Sequence, residues 1–169
     1  MIERIIGDYH GFIYKVTESL KSSGIDFADL KEMDHLSYRV ANFGEYENAR
    51  KSLLDYGEII TENIINGRPI AVFRLNDLLI SDYFAVNCLE LPAPKAGSDY
   101  KSGLEHAEFV VEMPLKDFIT KYPSLMFDTK EMDRENNPAI VLKLKDFIIK
   151  FHTLPLLKVA LIQKETGKL

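Results

Sequence analysis

The chain opens on a helical pattern. Ile2, Ile5, Ile6, Tyr9, Phe12, Ile13, Val16 and Leu20 recur at steps of three and four, which places them on one stripe of a 3.6-residue period. Gly24 is the expected stop. His10 lies beside that stripe, at a rim or surface position. The period then changes to two. Over residues 34–41, Leu36, Tyr38 and Val40 alternate with His35, Ser37 and Arg39, the mark of a half-buried strand with a polar second face. An amphipathic helix is predicted over residues 45–56, with Tyr46, Ala49 and Leu53 inward and Gly57 at its end. Strands follow over residues 58–65, 69–75 and 83–91. Asn66-Gly67 joins the first two as a two-residue hairpin, because both positions tolerate positive φ.

The second half repeats this order. A strand over residues 105–112 alternates Ala107, Phe109 and Val111 with His106, Glu108 and Val110. A short helix starts near Pro114, with Leu115, Phe118, Ile119 and Tyr122 as its stripe. A weaker strand at 125–130, a loop at Asn136-Asn137-Pro138 and strands at 140–144 and 147–153 complete the series. In the last strand Phe147, Ile149 and Phe151 face one way, and Ile148, Lys150 and His152 the other. A terminal helix starts near Pro155. The predicted class is α+β, with one domain over residues 31–169. It holds two strand–helix–strand–strand–strand modules (34–92 and 105–154) and a C-terminal helix (155–165). A helical segment, residues 1–30, packs on it.

Each module opens with an acid–histidine pair, Asp34-His35 and Glu105-His106. Each closes with a polar strand residue shortly before a proline, Glu90 before Pro92 and His152 before Pro155. Paired repeats of this size pack side by side. If their sheets curve together, His35, Glu90, His106 and His152 converge in a shared groove. Imidazole nitrogens with a carboxylate oxygen suit a divalent metal: Zn, Ni, Co, Mn or Fe(II). Such a metal polarises a carbonyl as a Lewis acid or activates oxygen. Lys150 shares the face of His152, and its cation opposes a bound metal unless it turns to solvent or to substrate.

Composition narrows the picture. The 169 residues carry 46% apolar and 28% charged positions, a globular balance. A single cysteine, Cys88, excludes an internal disulfide and thiolate zinc chemistry, so any metal rests on the four histidines and the acids. The net charge is −5, and no basic run suggests nucleic acid. No stretch reaches the roughly 18 apolar residues of a membrane span. The first residues, with an acid at position three, do not read as a signal peptide. A cytoplasmic protein with no membrane partner is the expectation.

Six segments then resemble a known family. They are D-H-L-S-Y-R (34–39), E-N-I-I-N-G-R-P-I (62–70), L-E-L-P (89–92), E-H-A-E (105–108), N-P-A (137–139) and I-K-F-H (149–152). They resemble the YecM family of bacterial proteins. That family sits within the vicinal oxygen chelate superfamily, which includes glyoxalase I, methylmalonyl-CoA epimerase and extradiol dioxygenases. The resemblance implies paired βαβββ modules around a saddle-shaped, barrel-like groove. It also implies one metal ligand from the first and last strand of each module: His35 and Glu90, then His106 and a last-strand residue. Many relatives place a glutamate there; this chain offers Lys150 or His152. If Lys150 fills the position, a coordination site is lost. If His152 fills it, three histidines and one glutamate remain.

Arg39 and Glu108 share the histidine face, as partners that orient ligands or substrate, or as a pair across the groove. Asn63, Arg68, Arg74 and Lys150 complete the expected substrate contacts. The implied function is divalent-metal binding with isomerase or epimerase chemistry on a small oxygenated or carboxylate substrate. Two alternatives stand beside it. One is a metal-free protein that binds or sequesters an anionic small molecule through Lys150 and the arginines. The other is an Fe(II)-dependent, dioxygenase-like enzyme. Two modules in one chain suit a monomer; modules paired between chains suit a homodimer.

Overall fold

The computed structural model describes residues 1–97 and 99–167; the last two positions of the expected 31–169 domain lie outside the described residues. The opening stripe is two helices rather than one. Gly7 takes a φ of 84°, and Asp8 then caps a new helix by accepting from Gly11 N at 2.8 Å. The result is α1 (Glu3–Ile6) and α2 (Tyr9–Ser22). The stripe survives the break, and Ile2, Ile6, Tyr9, Ile13, Val16 and Leu20 are all buried. His10 is exposed.

The first module is β1 (Leu30–Arg39), α3 (Phe43–Leu53), β2 (Gly57–Ile65), β3 (Arg68–Ile80) and β4 (Ala85–Pro92). The second is β5 (Gly103–Val111), α4 (Leu115–Lys121), β6 (Phe127–Asp128), β7 (Ala139–Lys143) and β8 (Ile148–His152), followed by α5 (Leu156–Thr166). Asn66 and Gly67 turn β2 into β3 with φ values of 52° and 78°, the two positive angles of a tight hairpin. The eight strands form one open, curled sheet in the order β2-β3-β4-β1-β5-β8-β7-β6. Each module closes on itself through a parallel pair, β1 with β4 and β5 with β8. The modules join through the antiparallel pair β1–β5.

Strand parity gives the sheet two different faces. One carries Leu36, Phe73, Leu89, Phe109 and Phe151, packed with α2, α3 and α4 into a single core. The other carries Ile60, Val72 and Cys88, covered by Ala160, Leu156 and Leu157 of α5. The polar side chains of β1 belong to this second face. They are not open to water as a half-buried strand predicts: His35 is 2% exposed and Ser37 0%. A buried polar row of this kind needs partners from neighbouring strands.

Candidate metal centre

The central strands β4, β1, β5 and β8 lie side by side. Their second-face residues meet around Glu108. Its Oε1 lies 3.4 Å from His35 Nε2, 3.2 Å from His106 Nε2 and 3.1 Å from Lys150 Nζ. Glu90 Oε2 lies 3.6 Å from His106 Nε2. On the other side, Glu108 Oε2 is 3.6 Å from His152 Nε2, which is 3.3 Å from Asp34 Oδ2. The donor atoms of His35, Glu90 and His106 all lie within 4.8 Å of one another, as do those of Asp34, His35 and His152.

Two of the three imidazoles are gripped from behind by a hydrogen bond, and the third faces a carboxylate at longer range. His35 Nδ1 bonds Asp34 Oδ2 at 2.7 Å, and His152 Nδ1 bonds the Leu154 carbonyl at 2.6 Å. His106 Nδ1 stands 3.7 Å from Glu105, which Arg39 holds at 3.1 Å. A proton kept on Nδ1 by such a partner leaves the Nε2 lone pair as the free donor. All three Nε2 atoms are buried and lack a hydrogen-bond partner among the described residues. Neighbours in a strand ordinarily point to opposite faces, yet Asp34 and His35 touch. The cause is a bulge. Met33 pairs with Phe109 and His35 with Glu108, so Asp34 is one residue too many and is turned toward its neighbour.

The charges interlock. Burial disfavours a charged imidazole, but the Glu108 charge and the Asp34 bond outweigh it, and the pKa of His35 rises to about 9. His106 rises to about 10 against the same penalty, through Glu105, Glu108 and Glu90. Burial likewise disfavours the charged carboxylates. Yet His152 and His35 hold Asp34 at about 2, and His106 holds Glu90 at about 2. Lys150 is driven above its ordinary value and Glu108 well below, each mainly by the other against the cost of burial.

The donor set fits a dication. Bonds of about 2.0–2.1 Å in a tetrahedron put neighbouring ligand atoms roughly 3.4 Å apart. Three spacings straddle that value: His106 Nε2 to Glu108 at 3.2 Å, His35 Nε2 to Glu108 at 3.4 Å and His106 Nε2 to Glu90 at 3.6 Å. His35, Glu90, Glu108 and Lys150 of the cluster line a cavity of about 630 Å³, walled by β2 and β3, by the loop ahead of β7 and by α5.

Register decides which residue matches Glu90. Glu90 pairs with Ser37, two residues after His35; Lys150 pairs with Glu108, two residues after His106. Lys150 therefore stands at the corresponding place, and His152 lies two residues beyond. The Lys150 ammonium turns inward to Glu108, with Glu131 3.7 Å away. Arg39 does not pair with Glu108 across the groove; its partner is Glu105. Arg68 donates to the Ala93 carbonyl at 2.6 Å, and Arg74 pairs with Glu58 on an exposed edge; neither lines the cavity. Asn63 does line it, and donates to Gln163 Oε1 at 3.2 Å. Asp34, Glu105, Glu131 and Asn137 enter the site without having been expected there as site residues. The acid before each histidine was a visible signal for the first two. Asn137, 3.1 Å from His152 Nδ1, had only its place in N-P-A.

A family model described as YecM protein matches residues 1–164. The chain belongs to the YecM family. Among YecM relatives, Protein YecM of Escherichia coli K12 is 28% identical over 166 residues, spanning 89% of this chain and 88% of its own length. A structural-genomics protein of solved structure superimposes with a TM-score of 0.74 at 26% identity, covering 88% of this chain and 85% of that one. Methylmalonyl-CoA epimerase from Mycobacterium tuberculosis superimposes with a TM-score of 0.55 at 16% identity, covering 77% and 93%. That likeness is one of fold, and this YecM-family chain has the vicinal oxygen chelate fold. No helix among its described residues is long and apolar enough to cross a membrane.

Proposed function

We propose that this YecM-family protein holds a divalent metal through His35, Glu90, His106 and Glu108, and uses it in isomerase- or epimerase-type chemistry on a small oxygenated substrate. The observation that carries the reading is the convergence of two buried imidazole nitrogens, His35 Nε2 and His106 Nε2, on Glu90 and Glu108, beside a cavity that His35, Glu90 and Glu108 line. Glu108 supplies the oxygen that Lys150, standing opposite Glu90 in the repeat, does not. A Zn, Ni, Co, Mn or Fe(II) ion held there supplies Lewis acidity toward a substrate carbonyl or hydroxyl oxygen.

The chain's own residues do the rest. Asp34 keeps the His35 proton on Nδ1, and the Glu105 charge stands 3.7 Å behind His106 Nδ1. Lys150 holds Glu108 in place and presents its ammonium at the cavity wall, where a substrate oxygen meets it. The apolar side chains of β3 and α5 exclude water from one side of the cavity. The fold shared with methylmalonyl-CoA epimerase supports the reaction class. His35, Glu90 and His106 also make the two-histidine, one-carboxylate set that serves Fe(II) and oxygen, which supports a dioxygenase-like second reading. A metal-free reading keeps one support: the Lys150 ammonium stands in the middle of the cluster, 3.1 Å from Glu108, and lines the cavity, while Arg39 and Arg74 are bound to Glu105 and Glu58.

Elemental analysis of tag-free protein, as purified and after reconstitution with Zn²⁺ or Co²⁺, tests the reading. The expected result is about one equivalent of metal per chain, abolished by combined His35→Ala and His106→Ala. Metal that stays sub-stoichiometric after reconstitution and is indifferent to the double substitution overturns it.

A further inference from the structure

We propose that Asp34 is a positioning residue that couples the site to the docking of α5, so that filling the site and fixing one wall of the cavity are linked events. The coupling deepens the metal-binding reading and rests on it for its metal-linked half; the latch itself does not.

The argument starts from the helix. α5 has no cap of its own, because Pro155 precedes it and no local side chain accepts from its first turn. The missing cap comes from 122 residues away in sequence: Leu156 N donates to Asp34 Oδ1 at 3.1 Å and to Oδ2 at 3.0 Å. A carboxylate at this end also meets the positive pole of the helix dipole. Little else holds α5. Ala160 is its only buried residue, and Leu161 and Ile162 are exposed. Leu156, Leu157 and Ala160 touch a small patch on the sheet, and Gln163 accepts from Asn63. An element so thinly packed opens locally more readily than the core. Yet α5 lines the cavity with Leu156, Val159, Ala160 and Gln163.

The oxygen that caps α5 also orients a ligand. Asp34 Oδ2 accepts from His35 Nδ1 at 2.7 Å and faces His152 Nε2 at 3.3 Å. His152 in turn bonds the Leu154 carbonyl, just ahead of α5. The β1 bulge is what brings this one carboxylate between the two jobs. A cation on His35 Nε2 makes Nδ1–H a stronger donor, tightens its bond to Asp34 and so fixes the cap on Leu156. By linkage, a docked α5 favours the cation by the same factor.

Hydrogen exchange of the α5 amides in the full chain tests the proposal, with Co²⁺ as the probe and its visible spectrum as the measure of uptake. Three outcomes are expected. In metal-free protein, Asp34→Ala speeds α5 exchange roughly fivefold, the size of a lost cap, while His106→Ala leaves it unchanged. In the wild type, Co²⁺ slows α5 exchange. Asp34→Asn, which retains one acceptor for Leu156, restores metal-free α5 protection but keeps Co²⁺ affinity lowered by roughly 10- to 100-fold. A merely structural role would not separate those two readouts. Unchanged α5 exchange in metal-free Asp34→Ala overturns the latch. Co²⁺ uptake by the wild type with no change in α5 overturns the coupling, and that arm needs no variant. No Co²⁺ uptake at all overturns the metal reading and the metal-linked half, while the metal-free comparison still decides the latch.

Discussion

Lys150 is the residue on which the two modules differ most. It occupies the place that corresponds to Glu90, and its ammonium lies 3.1 Å from Glu108 and 3.7 Å from Glu131. In the absence of metal it is the strongest cation beside Glu108. Lys150→Met therefore removes one of three cations around that buried carboxylate and leaves it His35 and His106. Breaking a buried pair outright costs about 3–5 kcal/mol, and the cost here is below that range because the lysine side chain is 18% exposed and two imidazoles still face Glu108. The expected outcome is a lower urea midpoint in EDTA, and a larger gain in midpoint on adding Zn²⁺ than the wild type shows. A variant as stable as the wild type in EDTA would show that Lys150 does not hold Glu108. That His35, Glu90 and His106 share one face was legible from parity and repetition, because both signals depend only on position along one strand. The role of Lys150 was not, because it depends on the offset between β5 and β8. Glu108 was foreseen on this face, but nothing in the chain says that it stands between the two histidines.

At the scale of elements, the positions of the strands and helices were readable, and their ends were less so. The single opening helix became two because Gly7 takes a positive φ just ahead of a capping aspartate, a combination the apolar stripe runs straight through. The Asp34 bulge was invisible for a related reason: alternation assumes that no residue is extra. Glycines show the same contrast. Gly67 is conspicuous in the sequence as half of a hairpin turn, while Gly57 reads as a helix stop. In the structure, a Cβ at Gly67 would meet nothing within 4 Å, so its cost is conformational. A Cβ at Gly57 would collide with the Arg74 carbonyl across the β2–β3 pair. Gly67→Ala is expected to cost about 1 kcal/mol. Gly57→Ala is expected to cost about 2–3 kcal/mol and to loosen the strands that carry Asn63. Urea midpoints of the two variants check the order, and a larger loss at Gly67 would show that close approach is not what Gly57 provides.

At the scale of the whole molecule, one sheet separates two kinds of stabilisation. Its phenylalanine face depends on packing and is indifferent to pH. Its other face depends on ion pairs, and these give the metal-free protein a pH profile. His35 and His106 titrate near 9 and 10 in the fold, against an ordinary 6.5, so their contribution is complete below pH 6.5 and is lost as pH rises through 9 and 10. Asp34 and Glu90 titrate near 2, against ordinary values of 3.8 and 4.5. Their contribution is complete above pH 4.5 and is lost as pH falls through 2. Both halves describe the same ion pairs seen from opposite partners, so they count once. The metal-free protein should be most stable between about pH 4.5 and 6.5 and weaken steadily on the alkaline side. A metal reverses the alkaline half. It requires neutral imidazoles, so at pH 7 its uptake expels the protons that His35 and His106 hold in the metal-free state. Above pH 7 the ion takes over the role of those protons, and the decline should disappear. Urea midpoints across pH 4 to 10, in EDTA and with Zn²⁺, measure both curves, and a weakly buffered Zn²⁺ titration measures the proton release. A flat EDTA curve between pH 7 and 10 would mean that the two imidazoles are neutral in the metal-free fold, and that zinc enters without displacing a proton from either.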